Sequence, residues 1–168
     1  MNKRIPLSAA SIVPLLAGSC AGDPAVSVPE NARPNIIFIF SDDLGIGDLS
    51  CYGATRVATP HIDRLAAQGQ RFTNAYATSA TSTPSRFGLL TGMYPWRLPN
   101  TQIAPGNSEL IIDPECHTLA DAMHDAGYVT GAVGKWHLGL GPVGGTDFNV
   151  EIRPDARDIG FDYEYLIP

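Results

Sequence analysis

Residues Ile36-Ile37-Phe38-Ile39-Phe40 form an unbroken apolar run, and after a single serine two carboxylates follow it, Asp42 and Asp43. Successive side chains of a strand point to opposite faces, so a strand with one wet face alternates apolar and polar residues. A run without alternation needs cover on both faces, the situation of a strand inside a parallel sheet with helices above and below it. Asn35 to Phe40 is therefore expected to be such a strand, with Asp42 and Asp43 at its carboxyl end.

The segments that follow fit the same architecture. Thr59 with Pro60 is expected to start a helix whose apolar face is Ile62, Leu65 and Ala66, and Gly69 to end it. Arg71 to Ala77 is expected to return as a strand. Thr118 and Asp121 have the spacing of a capping box, Leu119, Ala122, Met123 and Ala126 recur at helical intervals, and Gly127 closes that pattern. Tyr128 to Val133 reads as the next strand. Alternation of this kind predicts an α/β fold with a layered sheet, and no repeat or second boundary interrupts it. With 44% hydrophobic and 17% charged residues, the chain has the composition of one ordinary globular domain.

Residues 1–34 stand apart. Met1-Asn2-Lys3-Arg4 is basic, Ile5 to Leu16 is mostly apolar, and Ala17-Gly18-Ser19 lead to Cys20. This is the layout of an export signal over residues 1–19, too short to span a bilayer as a helix. The small residues before Cys20 resemble a bacterial lipoprotein cleavage site, although Ala17 stands where leucine is usual, so lipidation of Cys20 and a plain signal both fit. Residues 20–34, rich in Pro, Ala and Val, read as a tether. The expected location is the periplasm or outer surface of a bacterium, with membrane attachment only through a lipid on Cys20. Loss of residues 1–19 would remove two cations, Lys3 and Arg4, and no acid, taking the formal charge from −6 to −8. So acidic a chain argues against nucleic acid as a partner. Cys51 and Cys116 are then the remaining thiols, with pairing and free states both open.

The chemistry is expected at strand ends, where α/β sheets collect their ligands. Asp42 and Asp43 precede Gly45-Ile46-Gly47-Asp48, and two adjacent carboxylates repel unless a cation lies between them; oxygen-only ligands suit Ca²⁺ ahead of Mg²⁺, while a capping turn is the alternative. In Ser82-Thr83-Pro84-Ser85-Arg86, Pro84 fits the first position of a helix with Ser82 just before it. That end of a helix offers unpaired N–H groups to an oxyanion, and Arg86 adds a fork of donors one turn on. Alone, the pattern fits equally an N-cap serine and a surface arginine. Gly134-Lys135-Trp136-His137-Leu138-Gly139 follows a predicted strand. Two residues apart, Lys135 and His137 would point the same way if that strand continued.

Taken in order, Pro34-Asn35-Ile36-Ile37, Ser41-Asp42-Asp43-Leu44-Gly45, Thr59-Pro60-His61-Ile62-Asp63-Arg64-Leu65-Ala66, Ser82-Thr83-Pro84-Ser85-Arg86, Leu90-Thr91-Gly92 and Gly134-Lys135-Trp136-His137-Leu138-Gly139 resemble the sulfatase family of the alkaline-phosphatase-like superfamily. The resemblance runs from Arg33 to the end, through Gly160-Phe161-Asp162-Tyr163. It implies a layered α/β/α alkaline-phosphatase-like sheet over residues 35–168, of which this chain is the N-terminal portion. It implies a serine-type enzyme in which a dedicated maturing enzyme oxidises Ser82 to formylglycine. The hydrated aldehyde has two geminal hydroxyls: one attacks the sulfur of a carbohydrate or aryl sulfate, the other later loses its proton and expels sulfate. Asp42, Asp43 and residue 82 would coordinate Ca²⁺, Arg86 and Lys135 would offset charge, and His137 would be the acid/base partner of residue 82. The family's second pair of metal ligands, its alcohol-protonating histidine and another sulfate-binding lysine have no match in this sequence. A fragment or truncated product is therefore expected, with Asp147, Asn149, Asp155, Asp158 and Asp162 in a solvated tail. Two alternatives accompany the sulfatase reading: a phosphomonoester or phosphonate hydrolase of the same superfamily using unmodified Ser82, and an inactive surface lipoprotein.

Overall fold

A computed structural model describes residues 33–168; the expected signal segment and most of the tether lie outside the described residues. The chain divides into two units at Phe40. In the first, residues 33–40 adopt no regular secondary structure, and Ile36 to Phe40 are exposed, with the Phe38 and Phe40 rings stacked at 6.4 Å. The expected strand is absent. A strand exists only with a ladder partner and, for an all-apolar run, with cover on both faces, and among the described residues no strand pairs with this segment.

The second unit, Ser41 to Pro168, contains three helices, α1 (Pro60–Gln68), α2 (Ser82–Thr91) and α3 (Leu119–Asp125), and two parallel strands, β1 (Gly131–Lys135) and β2 (Tyr163–Ile167). Short 3₁₀ turns lie at Ile46–Asp48, Ser50–Tyr52, Pro95–Arg97 and Ala156–Ile159. Helix α1 begins with proline, whose absent N–H costs nothing there, and Gly69 donates back to the Leu65 carbonyl as expected. Its apolar face is not buried: Ile62 and Leu65 are exposed. Helix α3 has the predicted capping box. The Thr118 hydroxyl accepts from the N–H groups of Ala120 and Asp121, and the Asp121 carboxylate accepts from the Thr118 N–H. Its end is a Schellman closure, with Gly127 at φ 80° donating to His124 and Tyr128 donating to Met123. That closure consumes the Tyr128 N–H, so β1 starts at Gly131 instead of Tyr128.

Arg71 to Ala77 is irregular and exposed, not a strand. Side chains hold it instead: Arg71 bonds the Cys51 carbonyl and lies 5.2 Å from the centre of the Tyr52 ring, whose hydroxyl donates to the Phe72 carbonyl at 2.7 Å. In the tail the expected solvated loop holds at Asp147 and Asn149, which are exposed, and gives way to structure from Asp155 on. Asp155 is buried at 2% exposure, caps the turn Ala156–Ile159 and pairs with Arg153 and Arg157. Asp162 ties Thr130 to the start of β2. Strand β2 escaped the sequence reading because its inward residues are Glu164 and Leu166 while Tyr163, Tyr165 and Ile167 face out, reversing the usual pattern.

The core comprises Phe87 of α2, Ile112, Trp136, Leu138 and Leu140 beyond β1, and Ala156 and Ile159. Phe161 meets Trp136 edge to face at 6.2 Å. The chain beyond β1 runs against residues 108–111, with Ile111 donating to Leu138 and Leu140 to Ser108. Neither Cys51 nor Cys116 is in a disulfide.

Candidate active site

Helix α2 starts two residues earlier than the proline suggests. Thr81 stands at its N-cap position without a side-chain bond to the helix, Ser82 is its first residue and Pro84 its third; the first three N–H groups of a helix have no intrahelical acceptor, so proline is tolerated anywhere in that turn. Ser82 thus belongs to the helix and does not precede it. Thr83, Pro84, Ser85, Phe87 and Gly88 are buried, which leaves Ser82 and Arg86, one turn apart, on the other face.

Arg86 is the hub. Its Nε donates to Ser82 Oγ at 2.9 Å, Nη1 to the Lys135 carbonyl at 2.6 Å, and Nη2 to Asp42 Oδ1 at 3.3 Å. Lys135, the last residue of β1, closes the circuit by donating from Nζ to Asp42 Oδ2 at 2.5 Å. The Lys135 hydrogen bond holds the Asp42 carboxyl below its ordinary value; partial burial opposes this and Arg86 reinforces it. Three segments far apart in sequence, the loop after Ser41, the first turn of α2 and the end of β1, therefore meet through one carboxylate and one guanidinium.

His137 does not continue β1. It turns at φ 55°, and Gly139 follows at φ 66°, where a Cβ would fall 1.7 Å from the Glu109 carbonyl oxygen. Lys135 and His137 consequently do not share a face as a continued strand would make them. The link from His137 to α2 runs through Thr83, whose hydroxyl donates to the His137 carbonyl at 2.9 Å, while His137 Nε2 lies 2.9 Å from the Ala104 carbonyl. Asp43 is exposed at φ 54° and joins none of these bonds.

The sulfatase family model matches residues 34–163. The chain belongs to the sulfatase family. It is 78% identical over 136 residues to the N-acetylgalactosamine-6-O-sulfatase of Bacteroides thetaiotaomicron, a match covering 81% of this chain and 27% of that sulfatase. A solved sulfatase structure from work on glycosaminoglycan metabolism by the same bacterium superimposes with a TM-score of 0.80 at 78% identity, covering 81% of this chain and 28% of the other. The solved complex of Ps i-CgsB with k-i-k-neocarrahexaose superimposes at 0.60 with 32% identity, covering 76% and 27%. The chain thus spans somewhat over a quarter of these relatives' length. The layered α/β fold expected from the sequence is that of its solved sulfatase neighbours, of which it is the N-terminal portion.

Sequence reasoning missed Thr83 and Ala104. Thr83 sits inside the Ser82–Arg86 motif, but a buried hydroxyl bridging two main-chain groups has no spacing signature. Ala104 contributes only backbone, which no residue type betrays.

Proposed function

We propose that this chain carries the nucleophile side of a sulfatase active site acting on sulfate esters of carbohydrates, with aryl sulfates as a second substrate class. The observation that carries the reading is the closed network in which Arg86 touches Ser82, Asp42 and the Lys135 carbonyl together. The sugar preference is supported by the N-acetylgalactosamine-6-O-sulfatase at 78% identity.

Within this reading the chain's own groups have distinct tasks. Arg86 Nε–H points its hydrogen bond at the residue-82 oxygen, favouring its anionic form. Arg86 and Lys135 together bring two positive charges to the Asp42 carboxylate, and both can offset charge on a sulfuryl group. The open N-terminus of α2 adds N–H donors beside it. His137, tied to the same helical turn through Thr83, is the proton acceptor. Formylglycine at position 82, formed by a serine-type maturing enzyme, would supply a geminal diol in place of an alcohol that is a poor leaving group from its sulfate ester.

The donor chemistry of Asp42, Asp43 and residue 82 suits Ca²⁺, which takes six to eight oxygens. These three would hold it, and bound Ca²⁺ would lower the cost of deprotonating the residue-82 hydroxyl. Among the described residues no group of three or more His, Cys, Asp or Glu converges, so the remaining ligands are not part of the described site. Export from a bacterial cytoplasm, with Cys20 as a lipid site, completes the proposal.

The test is the mass of the tryptic peptide containing Ser82 from protein produced beside a serine-type maturing enzyme. Oxidation of the serine CH₂OH to an aldehyde removes two protons and two electrons, so the expected peptide is lighter by two hydrogens and forms an adduct with an aldehyde reagent. An unmodified serine, beside a control sulfatase that is modified in the same cells, overturns the reading.

A further inference from the structure

We propose that Thr83 is a positioning residue that fixes the proton of His137 on Nε2 and so reserves Nδ1 as the proton-accepting atom. Three residues close a ring of hydrogen bonds. The Ala104 N–H donates to Thr83 Oγ1 at 3.1 Å, Thr83 Oγ1 donates to the His137 carbonyl at 2.9 Å, and His137 Nε2 lies 2.9 Å from the Ala104 carbonyl. A carbonyl oxygen only accepts. Nε2 therefore carries hydrogen, and the neutral ring has its lone pair on Nδ1.

That Nδ1 is buried and without a hydrogen-bond partner, alone in this condition among the side-chain nitrogens and oxygens of the described residues. A buried polar atom without a protein partner calls for a reason, and a role in proton transfer supplies one. Thr83 has no other occupation: it is fully buried, and both of its hydroxyl bonds go to groups that frame His137. The histidine also sits at φ 55°, a left-handed conformation that a residue with a Cβ adopts only when its surroundings hold it. Thr83 grips the carbonyl of that residue and the amide of the residue that receives its ring proton. Removing the hydroxyl frees the Ala104 loop from α2 and lets the ring take either tautomer. Because Thr83 directly follows Ser82, the turn that presents the residue-82 oxygen also sets the histidine. The use of Nδ1 in proton transfer rests on the sulfatase reading above; the tautomer does not.

Long-range ¹H–¹⁵N correlation spectra of this chain labelled in its imidazoles, recorded at alkaline pH where histidine is neutral, read the tautomer directly, with His137→Gln assigning the signal. In wild type and Thr83→Ser the expected pattern is a single Nε2–H tautomer with an acceptor-type Nδ1; in Thr83→Val that single pattern is lost and Nδ1–H signals appear. A proton on Nδ1 in the wild type overturns the proposal, and so does a Thr83→Val protein that keeps the pure Nε2–H pattern. Should Thr83→Val fail to fold, Thr83→Ala, which removes the same hydroxyl, is read in its place with the same two outcomes. No outcome depends on formylglycine, so failure of the sulfatase reading and failure of this one are told apart.

Discussion

Asp42 and Asp162 are exposed carboxylates held low for different reasons. Asp42 answers to cations, Lys135 before Arg86, so an arriving metal ion has to share a carboxylate already in ion pairs. Asp162 answers to the backbone: its Oδ2 accepts from the Thr130 N–H at 2.8 Å and the Thr130 hydroxyl at 3.0 Å, and the backbone bond is the leading cause of its lowered pKa, with the hydroxyl and then His124 adding to it. A depressed folded-state pKa stabilises the fold above the unfolded value of about 3.9, and that contribution disappears as pH falls through the folded value. Asp162→Asn keeps an oxygen acceptor and loses the charge. Its urea midpoint is expected to lie below the wild type's at neutral pH, with the gap closing as pH drops below the ordinary carboxylate range. A gap that stays constant or widens on acidification would sink this account.

At the scale of elements, α3 shows how local chemistry fixes a boundary. Thr118 both closes the capping box with Asp121 and donates to the Ile159 carbonyl at 2.8 Å, a buried bond from the helix start to the turn before β2. Thr118→Ala removes the cap, worth about 1 kcal/mol, and leaves a buried carbonyl unpaired, for a total loss of about 2 kcal/mol. Thr118→Ser should recover most of it in urea unfolding; a loss of only a few tenths would show that neither bond matters. This cap was legible in the sequence because its signal lies within four residues, and α1 was legible for the same reason. The apolar run Ile36–Phe40 and the segment Arg71–Ala77 misled because a strand is a property of a pair, and the sequence of one member does not supply the other. Within the candidate site, Ser82 and Arg86 were legible as residue types at a helix start and Lys135 at a strand end, while Asp42 joins them without the strand expected before it. The turn at His137 was not, since the groups it meets, the Thr83 hydroxyl at its carbonyl and residues 108–111 beside Leu138 and Leu140, lie far away in sequence.

For the second unit as a whole, the two-stranded sheet covers one face and leaves the other open. Ala132 and Leu166 pack against the core, while Val133, Tyr163, Tyr165 and Ile167 point away from it. The register places Val133 opposite Tyr165, at 73% and 71% exposure, so the two most open apolar side chains of the sheet lie side by side. Parallel strands are ordinarily covered on both faces, and an apolar patch flanked by Tyr163 and Ile167 favours association. The formal charge of −6 opposes it, and that repulsion weakens as salt shortens the screening length. The isolated 168-residue chain is therefore expected to bind an apolar dye and to gain apparent mass in light scattering as protein or salt concentration rises. The paired change Val133→Thr and Tyr165→Thr should reduce both signals while leaving the urea midpoint nearly unmoved, because neither side chain is packed in the folded unit. A wild-type chain that stays monomeric and dye-free at high salt would mean that this face is covered in solution.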